Sequence, residues 1–543
     1  MNKLITALLH TTIAGAAVGM ALSASAQTPF GATPFAIIGH IQKFTLDSGT
    51  PGASRLTGAK MMVNGINVVI PTNLIIQMPA SYLTADDIFV MAKPTITERL
   101  PGQACPGSAG TSRSGLAVLD CDGPRPAALA SFEAAITGNI VGNVYIAGLV
   151  KVTQQALNAG NGYIQKIDRV TGEIFVSGNP AAVPGSASSP TDARLKLNDA
   201  VGRFGRATSS PSAPPSPAFP EDGRFTADTD NPTMHAESGY PMCVPRSAAA
   251  DPLCPDSNRP PWPLATGGAP FRLFVMDTVP LVTTVPVAIT VQPCPACDPA
   301  QQAPFKEGDY VTYQGTVASD AKGLYISAHT VVASVGIFTK PGDKVRPAYV
   351  SQEVSLIGTM GPSLLPFNQE GQDRLKVEAF STDPSRELNI YAIDVNPANG
   401  SKTLRFLGKP NKRQGALGRY RLILGKNAAA LKASGATLGA PRELVITFDK
   451  GDGTTFNGMP APTGPLAANG LVWGQFTAPV GEYIFPENTV MGEPRIPNNF
   501  ECLSFLQLGS GPLGTRGLTG SNVGRLTPWP GAAAGPTNVF CGP

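Results

Sequence analysis

The sequence predicts an all-β protein built from several small antiparallel barrels or sandwiches, at least one of them OB-like, with long Pro- and Gly-rich loops and disulfide bonds. The 59 glycines and 53 prolines are about a fifth of the 543 residues, and charged residues are only 15%. This composition favours many short strands separated by turns over long helices. The even number of eight cysteines is typical of a disulfide-bonded chain in an oxidising compartment.

The N-terminus has the pattern of a secretory signal peptide. Lys3 is followed by a weakly apolar run over residues 4–22 and by a small-residue cleavage motif, Ala-Ser-Ala, at 24–26. We therefore expect residues 1–26 to be removed and the mature chain to be periplasmic or extracellular. No later segment reaches the roughly 18 apolar residues of a membrane helix, so no transmembrane span is expected in the mature chain.

The first β domain is predicted over residues 27–125. Strand-like runs alternate with turns from Phe35 onward, and the pair Asn64-Gly65 between "MMV" and "INVVI" predicts a two-residue hairpin turn. Both positions of such a turn tolerate a positive φ at low cost. Residues 101–125 have no strand pattern and are expected to form a loop closed by a disulfide bond.

A second barrel-like unit is predicted over residues 126–207. It contains "GYIQKIDRVTGEIFVSG" at 162–178, which has a partial echo in "GHIQKFTLD" beginning at Gly39. The longer phrase predicts a hairpin that turns at Thr171-Gly172. The echo suggests two related barrels, a hypothesis that requires both to have the same strand order.

The rest of the chain divides into four predicted regions. Residues 208–270 form a Pro-rich excursion packed on a barrel, since a flexible linker has no need of two cysteines and a tryptophan. An OB-like unit is predicted over 271–365 from "GDYVTYQG", a Gly-Asp turn that leads into a strand. A fourth β unit over 366–450 and a turn-rich C-terminal region over 451–543 follow.

The cysteines are expected to pair with their neighbours in sequence. This expectation gives Cys105 with Cys121, Cys243 with Cys254, Cys294 with Cys297, and Cys502 with Cys541. Cys294 and Cys297 in "CPACD" also have the spacing of a redox dithiol or a metal site, and these alternatives remain open beside a structural disulfide. Covalent haem is not expected, because Asp298 stands where a haem attachment motif has histidine.

No catalytic residue can be identified from sequence motifs. The mature chain has only three histidines, and neither an H-E-x-x-H motif nor a G-x-S-x-G nucleophile elbow is present. The phrase "GSGPLG" at 509–514 matches a nucleotide-binding spacing, but no helix follows it, so no bound nucleotide is expected. Calcium is the one cofactor considered, through two acidic loops that contain Asp222, Asp228 and Asp230, and Asp449 and Asp452. The alternative is that these aspartates are ordinary turn residues.

A basic segment is the clearest electrostatic feature. Residues 402–432 carry nine lysines and arginines and no acidic residue, whereas residues 370–394 are comparatively acidic. A basic, partly aromatic strand face is a known way to hold nucleic acid or acidic sugars. The candidate ligand-binding residues are Arg405, Lys409, Lys412, Arg413, Arg419, Tyr420 and Arg421. The alternative is that the two segments neutralise each other across one sheet.

Several phrases resemble a group of exported, β-rich proteins of bacteria and filamentous fungi that have no known activity. They include "MMVNGINVVIPTNLIIQMPA", "GRFTADTDNPTMHAESGYPMCVPR" and "STDPSRELNIYAIDVNP". The resemblance implies export and a multi-barrel design. It implies no catalytic or binding residue.

These observations favour an exported, non-catalytic binding or surface-interaction protein. Its expected partner is a cell-surface or extracellular ligand, polyanionic or glycan in character, held by the basic segment. A secreted hydrolase acting on polysaccharide or polyester is the first alternative, because paired carboxylates cannot be found without geometry. A structural surface protein with calcium-stiffened loops is the second.

Overall fold

The structure is a computed structural model of the chain, and its described residues cover most of the strand-like regions. The described residues are 31–92, 112–120, 132–153, 158–178, 189, 192–209, 218–247, 250–260, 272–283, 289–359, 369–370, 374–396, 401–425, 440–449, 469–509 and 523–531. The protein is all-β, as predicted from sequence. The two described α-helices are short, α1 (Ala85–Val90) and α2 (Ser504–Gln507).

The first barrel closes from five strands. The strands of this part of the chain are β1 (Ala32–Leu46), β2 (Ala59–Val63), β3 (Ile66–Ile70), β4 (Ile76–Gln77), β5 (Tyr82–Leu83), β6 (Glu133–Val141) and β7 (Val144–Thr153). Their order is β3-β2-β1-β6-β7, and a parallel pairing of β3 with β7 closes the ring, while β4 and β5 extend the sheet beyond β7. The predicted turn joins β2 to β3, with φ of 52° at Asn64 and 77° at Gly65.

The second barrel has the same strand order as the first. Its region contains β8 (Ala159–Asp168), β9 (Glu173–Ser177), β10 (Ala193–Leu197), β11 (Met234–Ala236), β12 (Met242–Cys243), β13 (Leu273–Val275), β14 (Leu281–Thr283), β15 (Ile289–Pro293), β16 (Ala303–Pro304), β17 (Tyr310–Asp320), β18 (Gly323–Ala333) and β19 (Gly336–Phe338). The order β10-β9-β8-β17-β18 closes through a parallel pairing of β10 with β18. This is the outcome that the hypothesis of two related barrels requires.

The echoed phrases mark the same irregularity in the two first strands. In β1 the pairing with β2 shifts between Ile41 and Lys43, and in β8 the pairing with β9 shifts between Ile164 and Lys166. The residue passed over is the glutamine of "IQK" in each barrel. A β-bulge at the same motif position bends both strands in the way that closing a small barrel requires.

A second bulge also occurs at matched positions. The pairing of β6 with β7 skips Gly148, and the pairing of β17 with β18 skips His329. The parallel strand pair that closes each barrel has the same register relative to this bulge. In both β7 and β18, the first residue of this pair lies three positions before the bulged residue. The closing pairs are Val68 with Tyr145 and Leu195 with Ile326.

The strand pairing divides the chain differently from the predicted units. β6 and β7 complete the first barrel, so the predicted boundary at residue 126 falls inside it. The phrase "GDYVTYQG" supplies β17, the fourth strand of the second barrel, and does not open a unit of its own. The described part of the excursion packs on the second barrel, where Met234, Tyr240 and Met242 join the hydrophobic core.

The C-terminal part of the chain is a sandwich of two sheets. Its strands are β20 (Val350–Gly358), β21 (Gln369–Glu370), β22 (Leu375–Ser381), β23 (Leu388–Val395), β24 (Lys402–Gly408), β25 (Asn411–Lys412), β26 (Arg419–Leu424), β27 (Glu443–Phe448), β28 (Gln475–Pro479), β29 (Glu482–Ile484) and β30 (Glu487–Asn488). One sheet has the order β25-β26-β22-β20-β29 and the other β24-β23-β27-β28. The strand orders β25-β26-β22-β20 and β24-β23-β27-β28 are those of an immunoglobulin-type sandwich, with β29 added at the edge of the first sheet.

One hydrophobic core joins the first barrel to the sandwich. Inward side chains of the barrel, such as Ile41 and Ile136, belong to the same buried cluster as Val377 and Ile446 of the sandwich. The second barrel has a separate cluster. The first barrel and the sandwich therefore pack as one body, which allows a site to be built between them.

Two of the four predicted disulfide bonds lie within the described residues. Cys243 pairs with Cys254, and Cys294 pairs with Cys297. Cys502 is also disulfide-bonded. The other three cysteines, Cys105, Cys121 and Cys541, lie outside the described residues. In the described part of the chain, no helix is long and apolar enough to cross a membrane.

Candidate functional site

The candidate cations of the basic segment are paired with carboxylates in the structure. Each of the six forms an ion pair, and Tyr420 points inward. The ion pairs are Arg405 with Asp394 (2.8 Å), Lys409 with Asp449, Lys412 with Glu387 (3.2 Å), Arg413 with Glu378 (3.5 Å), Arg419 with Glu353 (3.1 Å) and Arg421 with Glu378 (2.7 Å). Four of the six pair with the acidic segment 370–394, as the alternative expected, whereas Lys409 and Arg419 pair with carboxylates outside it. The expectation of an uncompensated basic face at these residues is therefore wrong.

Glu378 is the centre of this neutralisation. Lys376 lies 3.0 Å from it, in addition to the two arginines named above. Burial acts to raise the pKa of Glu378, but the hydrogen bonds from Lys376 and Arg421 outweigh burial and lower it. Tyr420 is only 1% exposed and donates a hydrogen bond to the carbonyl oxygen of Arg386 at 2.8 Å. Its ring is part of the sandwich core and offers no surface for stacking.

The acidic loops do not assemble a calcium site among the described residues. Both oxygens of Asp222 accept hydrogen bonds from Arg224. Asp228 accepts the backbone N–H of Asp230 at 2.8 Å, as an ordinary turn residue does. Asp449 pairs with Lys409, and Asp452 lies outside the described residues. No group of three or more metal-ligating side chains is present in the part of the chain that the structure describes.

A cleft of about 820 Å³ lies between the outer face of the first barrel and the C-terminal part of the chain. Its floor contains one row of side chains that crosses five neighbouring strands, β1, β6, β7, β4 and β5. The row is Ile38, Ala135, Lys151, Gln77 and Tyr82, each paired with the next in the sheet register. Since side chains opposite each other in a sheet share a face, the five stand side by side beneath the cleft.

A neighbouring row continues the floor along the strands. It consists of Ala36, Thr137 and Leu149, which are also paired across β1, β6 and β7. The residues between the two rows, such as Ile136, point into the barrel core instead. The alternation of inward and outward side chains along each strand therefore produces both the core and the floor of the cleft.

The wall of the cleft is formed by β29, the following residues to Asn488, and the segment 495–498. This segment is held on the barrel by reciprocal amide bonds. Asn139 donates to the carbonyl oxygen of Asn498 at 2.9 Å, and the backbone N–H of Asn498 donates to the side chain of Asn139 at 2.9 Å. Both residues are buried.

The bulge at Gly148 brings the same wall close to the barrel. The ring of Phe500 lies directly over Gly148, where an added Cβ would come within 2.3 Å of a ring carbon. Phe500 in turn packs edge-on against Phe485 of the wall, with ring centroids 5.3 Å apart. The second bulge of the first barrel is therefore a docking point for the C-terminal segment.

Lys151 is the central polar side chain of the floor. Within the described residues, its ammonium group forms no hydrogen bond or ion pair, although the side chain is half-buried in the cleft. Burial lowers its pKa from the ordinary value of lysine. A desolvated cation without a counter-ion is costly to the folded state, and such a group is well suited to bind an anion.

Arg442 is a second cation of the cleft and also has no carboxylate partner among the described residues. Its guanidinium stacks over the ring of Phe505 at 4.3 Å and approaches the ring of Tyr82 at 5.7 Å. Its Nε and the hydroxyl of Tyr82 are buried without a hydrogen-bond partner in the described structure. Burial lowers the pKa of Arg442 and raises the pKa of Tyr82 well above its ordinary value. A cation and a hydroxyl donor thus stand together at one side of the cleft.

The remaining charges of the cleft lie at its exposed rim. Glu482, Glu487 and Arg495 are solvent-exposed lining residues. Water screens charges in such positions. In the interior, Lys151 and Arg442 are half-buried, and the buried carboxyl group of Glu443 also acts on Arg442 and Tyr82. The cleft can hold a small anion and shield part of it from water.

The cleft was not identified from the sequence. Lys151 lies in "VYIAGLVKVT", where it is the one charged residue of an otherwise mostly apolar strand, and this pattern was a usable signal. Its neighbours Gln77 and Tyr82 come from a separate hairpin, and Arg442 lies almost 300 positions later in the chain. No family model, curated protein or solved structure matches the chain.

Proposed function

We propose that the protein is an exported binding protein that holds a small acidic ligand in the cleft between the first barrel and the C-terminal segment. The observation that supports this most directly is the pair of half-buried cations, Lys151 and Arg442, which have no carboxylate partner among the described residues. Elsewhere in the sandwich, the six candidate cations of the basic segment each have such a partner. Largely apolar pockets with a few convergent polar groups are typical of ligand sites.

The disulfide bonds support the exported location, since they persist in oxidising compartments. The ring order of both barrels supports an OB-like assignment. The proposed site differs from the usual one of OB barrels, because it uses the first, fourth and fifth barrel strands and not the second and third.

A calorimetric titration tests the proposal with three soluble acids of different class, glucuronate, octanoate and inorganic phosphate. We expect at least one of them to bind the wild-type protein and to bind the Lys151→Met variant at least about tenfold more weakly, because an unscreened charge contact is worth more than about 1.4 kcal/mol. Lys60→Met is the matched control, since Lys60 is an exposed lysine on β2 of the same barrel, away from the cleft. Absence of binding to all three acids, or equal binding by Lys151→Met, would contradict the proposal.

A further inference from the structure

The floor of the cleft changes in character from one side to the other. At the β1 side, Ile38 is 68% exposed. Small side chains follow on β6, and Lys151 stands on β7, with Gln77 and Tyr82 beyond it. The row therefore runs from apolar through small to cationic and polar.

The dimensions of this gradient can be taken from the sheet itself. Ile38 and Lys151 are two strands apart, which corresponds to about 10 Å across a sheet. The second row places Ala36 and Leu149 beside them, again without a charged group. The interior thus offers an apolar surface about 10 Å long that ends at a cation.

The wall adds further apolar side chains and the second cation. Apolar side chains of the wall, Ile484, Phe485 and Ile496, line the cleft, whereas Arg442 lies beside Tyr82 at the far side of the floor. Both cations of the interior are therefore on the β7-to-β5 side. Tyr82, beside Arg442, is two strands from Lys151, about 10 Å across the sheet, so the two cations add positive potential to one side of the cleft.

From this arrangement we infer that the ligand is an amphipathic monocarboxylic acid, with its carboxylate at Lys151, on the side of the cleft where Arg442 also lies, and its apolar body over Ile38 and Leu149. The inference rests on the proposed function and names its ligand class. A sugar acid fits this arrangement less well, because its hydroxyl groups would face apolar side chains and lose hydrogen bonds to water without replacement. A volume of about 820 Å³ is in the range of sites for small organic ligands.

The test is a calorimetric titration of the full chain with butanoate, octanoate, 1-octanol and glucuronate, each below its aggregation concentration. We expect octanoate to bind at least about tenfold more tightly than butanoate, because the added methylenes are buried. Octanoate should also bind at least about tenfold more tightly than 1-octanol, which lacks the charge.

Ile38→Ser is the specific variant for the apolar end of the cleft. It should weaken octanoate binding severalfold and leave butanoate binding nearly unchanged, since only the longer chain reaches Ile38. Ile423→Ser is the matched control, because Ile423 is 62% exposed on the sandwich and does not line the cleft. Both substitutions are on the surface, so neither is expected to prevent folding.

The outcomes separate this inference from the proposed function. If glucuronate binds in a Lys151-dependent way and octanoate does not, the acidic-ligand site stands and the amphipathic ligand class is overturned. Equal binding of octanoate and butanoate, or an equal effect of the two isoleucine substitutions, also overturns it. If none of the carboxylic acids binds, the ligand class is overturned, and if inorganic phosphate does not bind either, the site is overturned as well.

Discussion

The two barrels share their strand order, their closing register and the position of two bulges, yet they differ at the residue that occupies the second bulge. In the first barrel this residue is Gly148, and the ring of Phe500 packs directly over it. In the second barrel it is His329, which is buried and 4% exposed. One position of a common framework therefore accepts an external ring in one barrel and holds a titratable side chain in the other.

The outer faces differ in a related way. The position of Lys151 on β7 corresponds to Val332 on β18, since both lie three residues beyond the bulged position. The first barrel thus has a cation where the second has an aliphatic side chain. The backbone framework therefore sets the barrel, whereas the outward side chains set which barrel carries the proposed acidic-ligand site.

The first prediction concerns Gly138 and Gly315, which lie opposite the second bulge in the two barrels. An added Cβ would lie 2.2 Å from a backbone oxygen at Gly138 and 2.4 Å from one at Gly315. We expect Gly138→Val and Gly315→Val each to lower the free energy of unfolding by more than about 3 kcal/mol, because the backbone cannot move aside. Denaturant unfolding measures the change.

Gly178→Ala is the control for these two substitutions, because no atom lies within 4 Å of its added Cβ. It should change the free energy of unfolding by less than about 1 kcal/mol. If Gly138→Val and Gly315→Val are no more destabilising than this control, the bulges do not require glycine and the matched positions have no structural meaning.

The second prediction concerns the pH dependence of stability that His329 of the second barrel produces. Burial, followed by the charge of Lys151, lowers the pKa of His329 from 6.5 to about 4. Between these values the unfolded chain binds the proton more readily, so the free energy of unfolding falls as the pH is lowered from about 6.5 towards 4. We expect this group to remove about 2 to 3 kcal/mol by pH 4.

Urea unfolding of wild-type protein and His329→Gln at several pH values measures this effect. The other titrating groups are common to both proteins, so the difference between the two curves isolates His329. The difference should grow as the pH falls through the window and stay constant above about pH 7. Parallel curves over the whole range would show that His329 is not responsible for acid sensitivity.

Local features of the fold could be predicted from the sequence because they depend on neighbouring residues. The Asn64-Gly65 turn, the pairing of Cys243 with Cys254 and the shared phrase "IQK" are of this kind. The assembly of each barrel could not be predicted in the same way. β3 and β6 are separated by more than 60 residues, and the alternation in "GDYVTYQG" serves equally well as the first or the fourth strand of a barrel.

The candidate site depends even more on distant contacts. Its floor is a single row across five strands, and one shift of register would turn Lys151 towards the core. The basic segment is different, because its charges are easy to see in the sequence but their partners are not. The carboxylate partners outside the acidic segment 370–394, Glu353 and Asp449, become visible only when the strands are paired.

The third prediction asks whether Lys151 is retained for the fold or for a ligand. We expect Lys151→Met to raise the free energy of unfolding by about 1 kcal/mol, because a half-buried cation without a counter-ion is costly when no ligand is bound. Thermal or denaturant unfolding in ligand-free buffer measures the change. Lys60→Met, which removes an exposed lysine, should change the stability by less than about 0.5 kcal/mol. Destabilisation by Lys151→Met would indicate that the lysine supports the barrel itself.

The fourth prediction concerns an exposed ion pair of the basic segment. Arg419 pairs with Glu353 at 3.1 Å, and both side chains are well exposed, so the ion pair is screened by water. We expect Arg419→Gln to change the free energy of unfolding by less than about 0.5 kcal/mol and to leave octanoate affinity unchanged. Denaturant unfolding and calorimetric titration check both expectations. A tenfold loss of affinity in Arg419→Gln, with Lys151→Met unaffected, would move ligand recognition from the barrel to the sandwich, because only a site that uses this cation would respond to its removal.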